Sequence, residues 1–229
     1  ATDQATDTPT NNFCTLNPLS ADEMTFAEGN CKVTQASAGP RTDDNARGTM
    51  GVSSGKWYWE VKVSGGTVPV VVGICFDKLK MGSDLSGLTG VYAIQNASAT
   101  NAYKRENGTT AETSGFTNPV NDNIINVAFD ADNAKLYIGI NGTYENQAGS
   151  TGDPAAGSNE TFSSIDTSFF WLPWIESRGA SQVAECNFGG CPAFSISSGN
   201  ADANGYGNME YEIPDGYYCL CSKNLAEYG

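Results

Sequence analysis

An all-β fold, an antiparallel β-sandwich of two sheets, is predicted for this chain of 229 residues. Three observations lead there. Short stretches rich in Val, Ile, Phe, Tyr and Trp recur along the chain, the pattern of strands rather than helices. No window of a dozen residues keeps apolar side chains at three-and-four spacing. Between the apolar stretches lie EGN, SGG, DADN, NGT and NFGG, whose Gly, Asn and Asp tolerate the positive φ of tight turns.

Taken in order, strands are predicted at 23–28 (EMTFAE), 31–35 (CKVTQ), 56–64 (KWYWEVKVS), 68–76 (VPVVVGICF) and 91–95 (VYAIQ). Further along they fall at 124–130 (IINVAFD), 134–140 (AKLYIGI), 168–175 (SFFWLPWI), 182–188 (QVAECNF) and 217–221 (YYCLC). In the third of these, side chains alternate across the strand. Trp57, Trp59, Val61 and Val63 share one wholly apolar face, which reads as core, the ordinary use of large rings. Tyr58 lies among charges on the other face, under a further loop or against a partner. The segment from 124 to 140 reads as a hairpin turning at Asp130 to Asn133, with another turn at Asn141-Gly142. Asp130, Asp132 and Asn133 do not make a calcium loop, because Lys135 and Asn141 stand where that loop needs Gly and Glu.

Composition excludes whole classes of function. Lys plus Arg number 12 against 26 Asp plus Glu, a net charge of -14, and no basic stripe exists for nucleic acid. The longest apolar runs are far shorter than the roughly 20 residues of a membrane helix, so no membrane insertion is expected. There is no histidine, which removes His-based triads and His-ligated zinc. No Gly-rich loop leads into a helix to cradle phosphates, and no cofactor is expected. The chain begins ATDQATDT without Met, as a processed product or a fragment would.

Seven cysteines are an odd number. Cys14 with Cys31 and Cys186 with Cys191 are possible disulfides in an oxidising setting. A four-thiolate site from Cys186, Cys191, Cys219 and Cys221 is conceivable, but the spacing lacks a zinc knuckle, and no metal is expected. Cys75 and Cys221 read as small core groups.

Three segments in sequence resemble a SPRY domain: GKWYWEV (Gly55 to Val61), VAFDADNAKLYIGING (Val127 to Gly142), and Pro173 to Ile175 with Gly179 and Asn187 to Gly189. The flanks DTPTNNFCTLNPL (7–19) and IPDGYYCLCSKNLAE (213–227) look like the wrapping segments of SPRY-type modules in bacteriophage structural proteins. Tyr218, Cys219, Ala226 and Cys191 depart from that pattern. The resemblance implies a concanavalin-like bent sandwich over 12–229 behind an extended segment, 1–11. It also implies partner recognition through loops at one end and no catalytic apparatus.

Loops on a rigid sandwich are where recognition concentrates. The longest hydrophilic stretch, 97–119, holds Tyr103, Lys104, Arg105 and Phe116, and Arg178 follows the strand PWIES; these five are the candidate ligand-binding residues. The expectation is a non-enzymatic structural protein of a phage virion, in capsid decoration, fibre or tail, exposed on the particle surface. It would act in assembly or adhesion, with other virion proteins, copies of itself, or a host polysaccharide or protein as partners. The alternative is a secreted or cell-surface filament or adhesin subunit. A second alternative is a glycoside hydrolase using Glu210 and Glu212, which share a face of MEYEI if that segment is a strand.

Overall fold

The structure is a computed structural model describing residues 8–21, 23–35, 44–65, 70–79, 89–96, 101–177 and 181–229. The strands in chain order are β1 (Leu16–Ala21), β2 (Met24–Ala27), β3 (Lys32–Gln35), β4 (Asn45–Gly48), β5 (Lys56–Ser64), β6 (Val70–Phe76), β7 (Val91–Gln95) and β8 (Asn101–Glu106). They continue as β9 (Thr109–Thr117), β10 (Ile124–Asp130), β11 (Lys135–Ile140), β12 (Thr143–Glu145), β13 (Trp171–Ser177), β14 (Val183–Asn187) and β15 (Tyr218–Cys219), before a short helix α1 (Ser222–Tyr228). One sheet runs β1, β4, β13, β6, β7, β8, β9; the other runs β12, β11, β10, β5, β14, β3, β2. Both are antiparallel throughout except where β15 lies parallel to β5, beside Trp57 and Tyr58, beyond the point at which β14 stops pairing. The architecture is a two-sheet β-sandwich.

The apolar face of β5 explains the arrangement. Trp57 and Trp59 are 0 and 1 % exposed and sit opposite Phe129 and Val127 of β10. With Val61 they join Val72, Ile74 and Ile94 of the facing sheet in one core. The opposite face of β5 is covered as well. Tyr58, Ala128 and Tyr137 pack under Met209, Ile213, Tyr217 and Cys219, so the carboxyl-terminal segment forms a second apolar layer. Alternation along β5 therefore separates two buried environments rather than inside from outside.

The hairpin from β10 to β11 turns at residues 131–134, where Asp130 Oδ1 accepts the Asn133 amide at 2.9 Å. Asp130 also pairs with Lys56 at 3.0 Å, and Asp132 accepts the Gly55 amide at 2.7 Å, so this turn spends its carboxylates on the chain itself. Gly73, mid-strand in β6, leaves no room for a side chain: an added Cβ would lie 2.1 Å from the Tyr92 carbonyl oxygen. Backbone cannot yield as a flexible side chain can. Gly73→Ala is expected to cost about 2 kcal/mol or more, read as a lowered urea midpoint.

All seven cysteines are thiols, and neither Cys14–Cys31 nor Cys186–Cys191 is bridged. Cys14, Cys31 and Cys186 share the main core; the Cys186 amide donates to the Cys31 carbonyl at 2.6 Å, and Cys14 Sγ accepts from the Thr49 hydroxyl. Burial pushes the Cys14 thiol up to about 11 and Cys75 to about 12. Thiolates are the reactive form. Titration with an aromatic disulfide is therefore expected to label the half-buried Cys191 rapidly in the native protein, and all 7 thiols only in denaturant. A denatured count of five or three would restore the bridges.

Candidate functional site

Of the five candidate ligand-binding residues, Tyr103, Lys104 and Arg105 lie on β8 and Phe116 on β9, a paired hairpin where a loop was expected. The hairpin has a local cause: Asn107 and Gly108 both take positive φ, 41° and 98°, and close a two-residue turn. Arg105 is 2 % exposed, donates to Gln95 Oε1 at 2.8 and 3.1 Å, and stands 3.6 Å from the buried Glu176 carboxylate. Phe116 is 1 % exposed in the main core. Neither can meet a ligand without unfolding the hairpin. Lys104 is half-buried and held by Glu106 at 2.6 Å and Gln147 at 2.8 Å. Tyr103 is half-buried opposite Glu112. Arg178 lies outside the described residues.

The carboxylates of the enzyme alternative are not brought together on a strand face. Residues 210–212 lie outside the named strands; Glu210 is bound to the Ser197 amide and hydroxyl, which hold its carboxyl below the usual range. Glu212 lines a separate recess with Asp202 and Asp215. Cys186 belongs to the main core, whereas Cys219 and Cys221 belong to the second layer. Among the described residues, no group of three or more His, Cys, Asp or Glu is placed to hold a metal.

What the sequence reading missed is a recess of about 260 Å³ lined by Phe76, Tyr92, Asn107, Asp166, Phe169 and Trp171. Strand register assembles it. Trp171 opens β13 opposite Phe76, which closes β6; Cys75 pairs with Val91, and Tyr92 with Glu106 at the end of β8. The rings thus gather where strands of the first sheet end, at one mouth of the sandwich. They meet at steep angles: Phe76 and Phe169 are 5.7 Å apart at 87°, Tyr92 and Trp171 5.3 Å apart at 60°. Edge contacts of this kind fix the rings against one another.

The polar groups of the recess are few. Trp171 Nε1 donates to the Asp166 carbonyl at 2.9 Å, and Asn107 Oδ1 accepts the Gly90 amide at 2.9 Å. The Asp166 carboxylate is exposed and kept below its ordinary pKa by the Ser168 hydroxyl and amide. Burial first, then the charges of Glu106 and Asp166, raise the Tyr92 hydroxyl, which stays protonated. Phe170, between the lining residues Phe169 and Trp171 in sequence but not itself part of the lining, is 53 % exposed, one of few large apolar side chains among the described residues to face water so fully. The signal available from sequence was the run SFFW: four residues in which the second and third could not both face a core.

No family model matches the chain, and no curated protein matches it. Solved structures do. The crystal structure of the TRIM65 PSpry domain is 11 % identical, covers 76 % of this chain and 92 % of its own, and superposes with a TM-score of 0.55. The SPRY domain of human HERC1 is 17 % identical, covers 77 % and 97 %, and gives 0.52. The fold of this chain is SPRY-like.

Proposed function

We propose that the chain is a non-catalytic recognition module of a bacteriophage particle, in capsid decoration, fibre or tail, acting in assembly or adhesion at the virion surface. SPRY domains serve as protein-interaction modules, and the fold likeness supports that part of the reading. The particle assignment rests on the phage-like flanks at 7–19 and 213–227 and on an acidic surface that keeps many copies dispersed. One observation carries the contact role: the aromatic recess, with exposed Phe170 next in sequence to two of its rings, on a sandwich whose Glu60, Asp130 and Glu210 are committed to structural bonds.

A rim of this kind gives weak single contacts that many copies multiply. Labelled protein clustered on beads is expected to adhere to host cells or to purified sibling virion proteins. Phe170→Asp should lower adhesion about tenfold, because an exposed apolar anchor carries much of a small contact. Tyr103→Ala tests the β8 surface in the same assay. Adhesion indifferent to both changes would remove this face from the function, and particles lacking the chain by mass spectrometry would remove the virion assignment.

A further inference from the structure

The recess at the mouth of the sandwich has a ligand chemistry that can be read from its parts. The geometry points to an organic ammonium group, such as a quaternary amine or an alkylated lysine, as what Phe76, Tyr92, Phe169, Trp171 and Asp166 bind. This rests on the reading of that mouth as the contact surface and goes further, naming the chemical class it takes.

Three observations favour a cation over a sugar or an apolar group. First, the rings are inclined to one another at 42° (Phe76 and Trp171), 60° (Tyr92 and Trp171) and 87° (Phe76 and Phe169), with Tyr92 and Trp171 as a buried floor and Phe76 and Phe169 as the half-buried walls. A compact ammonium meets several π faces in a cage, whereas a flat sugar ring stacks on one open face. Second, the one ionised group of the lining is an anion, beside the neutral donors of Tyr92, Thr89 and Asn107. The Trp171 N–H is already donated to the Asp166 carbonyl, so that edge has no donor left for a hydroxyl, while the Asp166 carboxylate stands exposed and ionised at the lining. Third, the wall already holds an ammonium: Lys78 Nζ lies 4.9 Å from the centroid of Phe169. Glu106 does not compete for the ligand, since Lys104 neutralises it at 2.6 Å. Asp166 has no such ion pair among the described residues.

A cage of aromatic faces with one carboxylate satisfies an alkylammonium in two ways. The alkyl groups leave water against the rings, and the charge is met by ring quadrupoles and by Asp166. A neutral group of the same shape keeps only the first contribution. Charge is therefore the discriminating variable.

The test titrates the full chain with choline and, separately, with its uncharged isostere 3,3-dimethylbutan-1-ol, at constant ionic strength, following tryptophan emission and the NMR signals of the Phe169 and Tyr92 rings. Choline is expected to give saturable shifts confined to the recess, and the isostere at least about tenfold weaker ones. Phe169→Ala should weaken choline binding about tenfold, and Asp166→Asn about fivefold. Asp166 is exposed, so its variant reports even if the Phe169 change disturbs folding. Lys78→Ala removes the resident ammonium and should strengthen binding. Equal binding of choline and isostere, absence of saturable choline shifts, saturable shifts with glucose or galactose instead, or weaker binding in Lys78→Ala would each overturn the assignment. Adhesion that still depends on Phe170 while choline fails to bind would sink the ligand class alone and leave the contact surface standing.

Discussion

Glu60→Ala is expected to lower the stability of the folded chain by about 3 to 5 kcal/mol, the range for removing one member of a buried charged network. Glu60 is 0 % exposed, and four donors converge on it: the Tyr58 hydroxyl at 2.8 Å, the Tyr211 amide at 2.8 Å, the Glu210 amide at 3.0 Å and Asn187 Nδ2 at 3.2 Å. Two of these belong to the carboxyl-terminal segment and one to β14, so the carboxylate fastens the second apolar layer onto β5. Alanine leaves those donors facing a cavity, and each buried donor without an acceptor costs on the order of 1 to 3 kcal/mol. Urea unfolding measures the loss, and proteolysis should find new cleavage between residues 195 and 215. A loss below about 1 kcal/mol would show that water replaces the carboxylate there.

The same group sets a pH signature. Burial raises the Glu60 pKa above the ordinary 4.5, and the four hydrogen bonds only partly offset it. A raised folded value means that the native state holds the proton more tightly than the unfolded chain. Its contribution is complete below the ordinary value and is lost as pH rises through the raised one. Glu60→Gln cannot titrate. The stability of the natural protein minus that of Glu60→Gln should therefore fall as pH climbs from about 4.5 and level off beyond the folded value. Asp166 and Glu210, whose values are lowered, change in the opposite sense but cancel in the difference.

Trp59→Ala is the second large effect, with about 3 to 5 kcal/mol lost. The indole is 1 % exposed, faces Val127 across β10 and bridges the two sheets. Its removal leaves a cavity that strands on both sides cannot close without breaking register. For a chain of this size the melting temperature should fall by about 10 °C. Trp57→Ala should cost at least as much, because its Nε1 also donates to the Ser54 carbonyl at 2.7 Å.

Strands whose side chains alternate or run wholly apolar were legible in the sequence: β5, β6, β7, β10 and β11 fall where hydrophobic pattern places them. β1, β4, β8, β9 and β12 were not. β1 contains Asn17 and Pro18, pairs with β4 across a register irregularity and is largely exposed on its middle residues. β8 and β9 are polar because they lie at the edge of a sheet, where, among the described side chains, only Ala102, Arg105, Thr113 and Phe116 are buried. The Asn107-Gly108 turn and the Thr-rich run of β9 were the overlooked signals. The recess was illegible for a different reason. Phe76, Tyr92, Phe169 and Trp171 come from three separate segments, and only strand register shows that their ends coincide.

The first and last described segments lie together. The Cys14 amide donates to the Leu220 carbonyl at 2.9 Å, Asn12 and Ser222 exchange bonds at 2.8 and 2.9 Å, and Phe13 bridges Cys221. During synthesis, β5 emerges from the ribosome with Tyr58 and Glu60 uncovered, and they stay so until some 150 further residues have been made. Closure of the second apolar layer thus waits on the segment around residues 209–221. A nascent chain arrested before residue 208 carries a sticky tyrosine-lined strand face, which makes it a ready substrate for holding chaperones and a hazard at high expression rates.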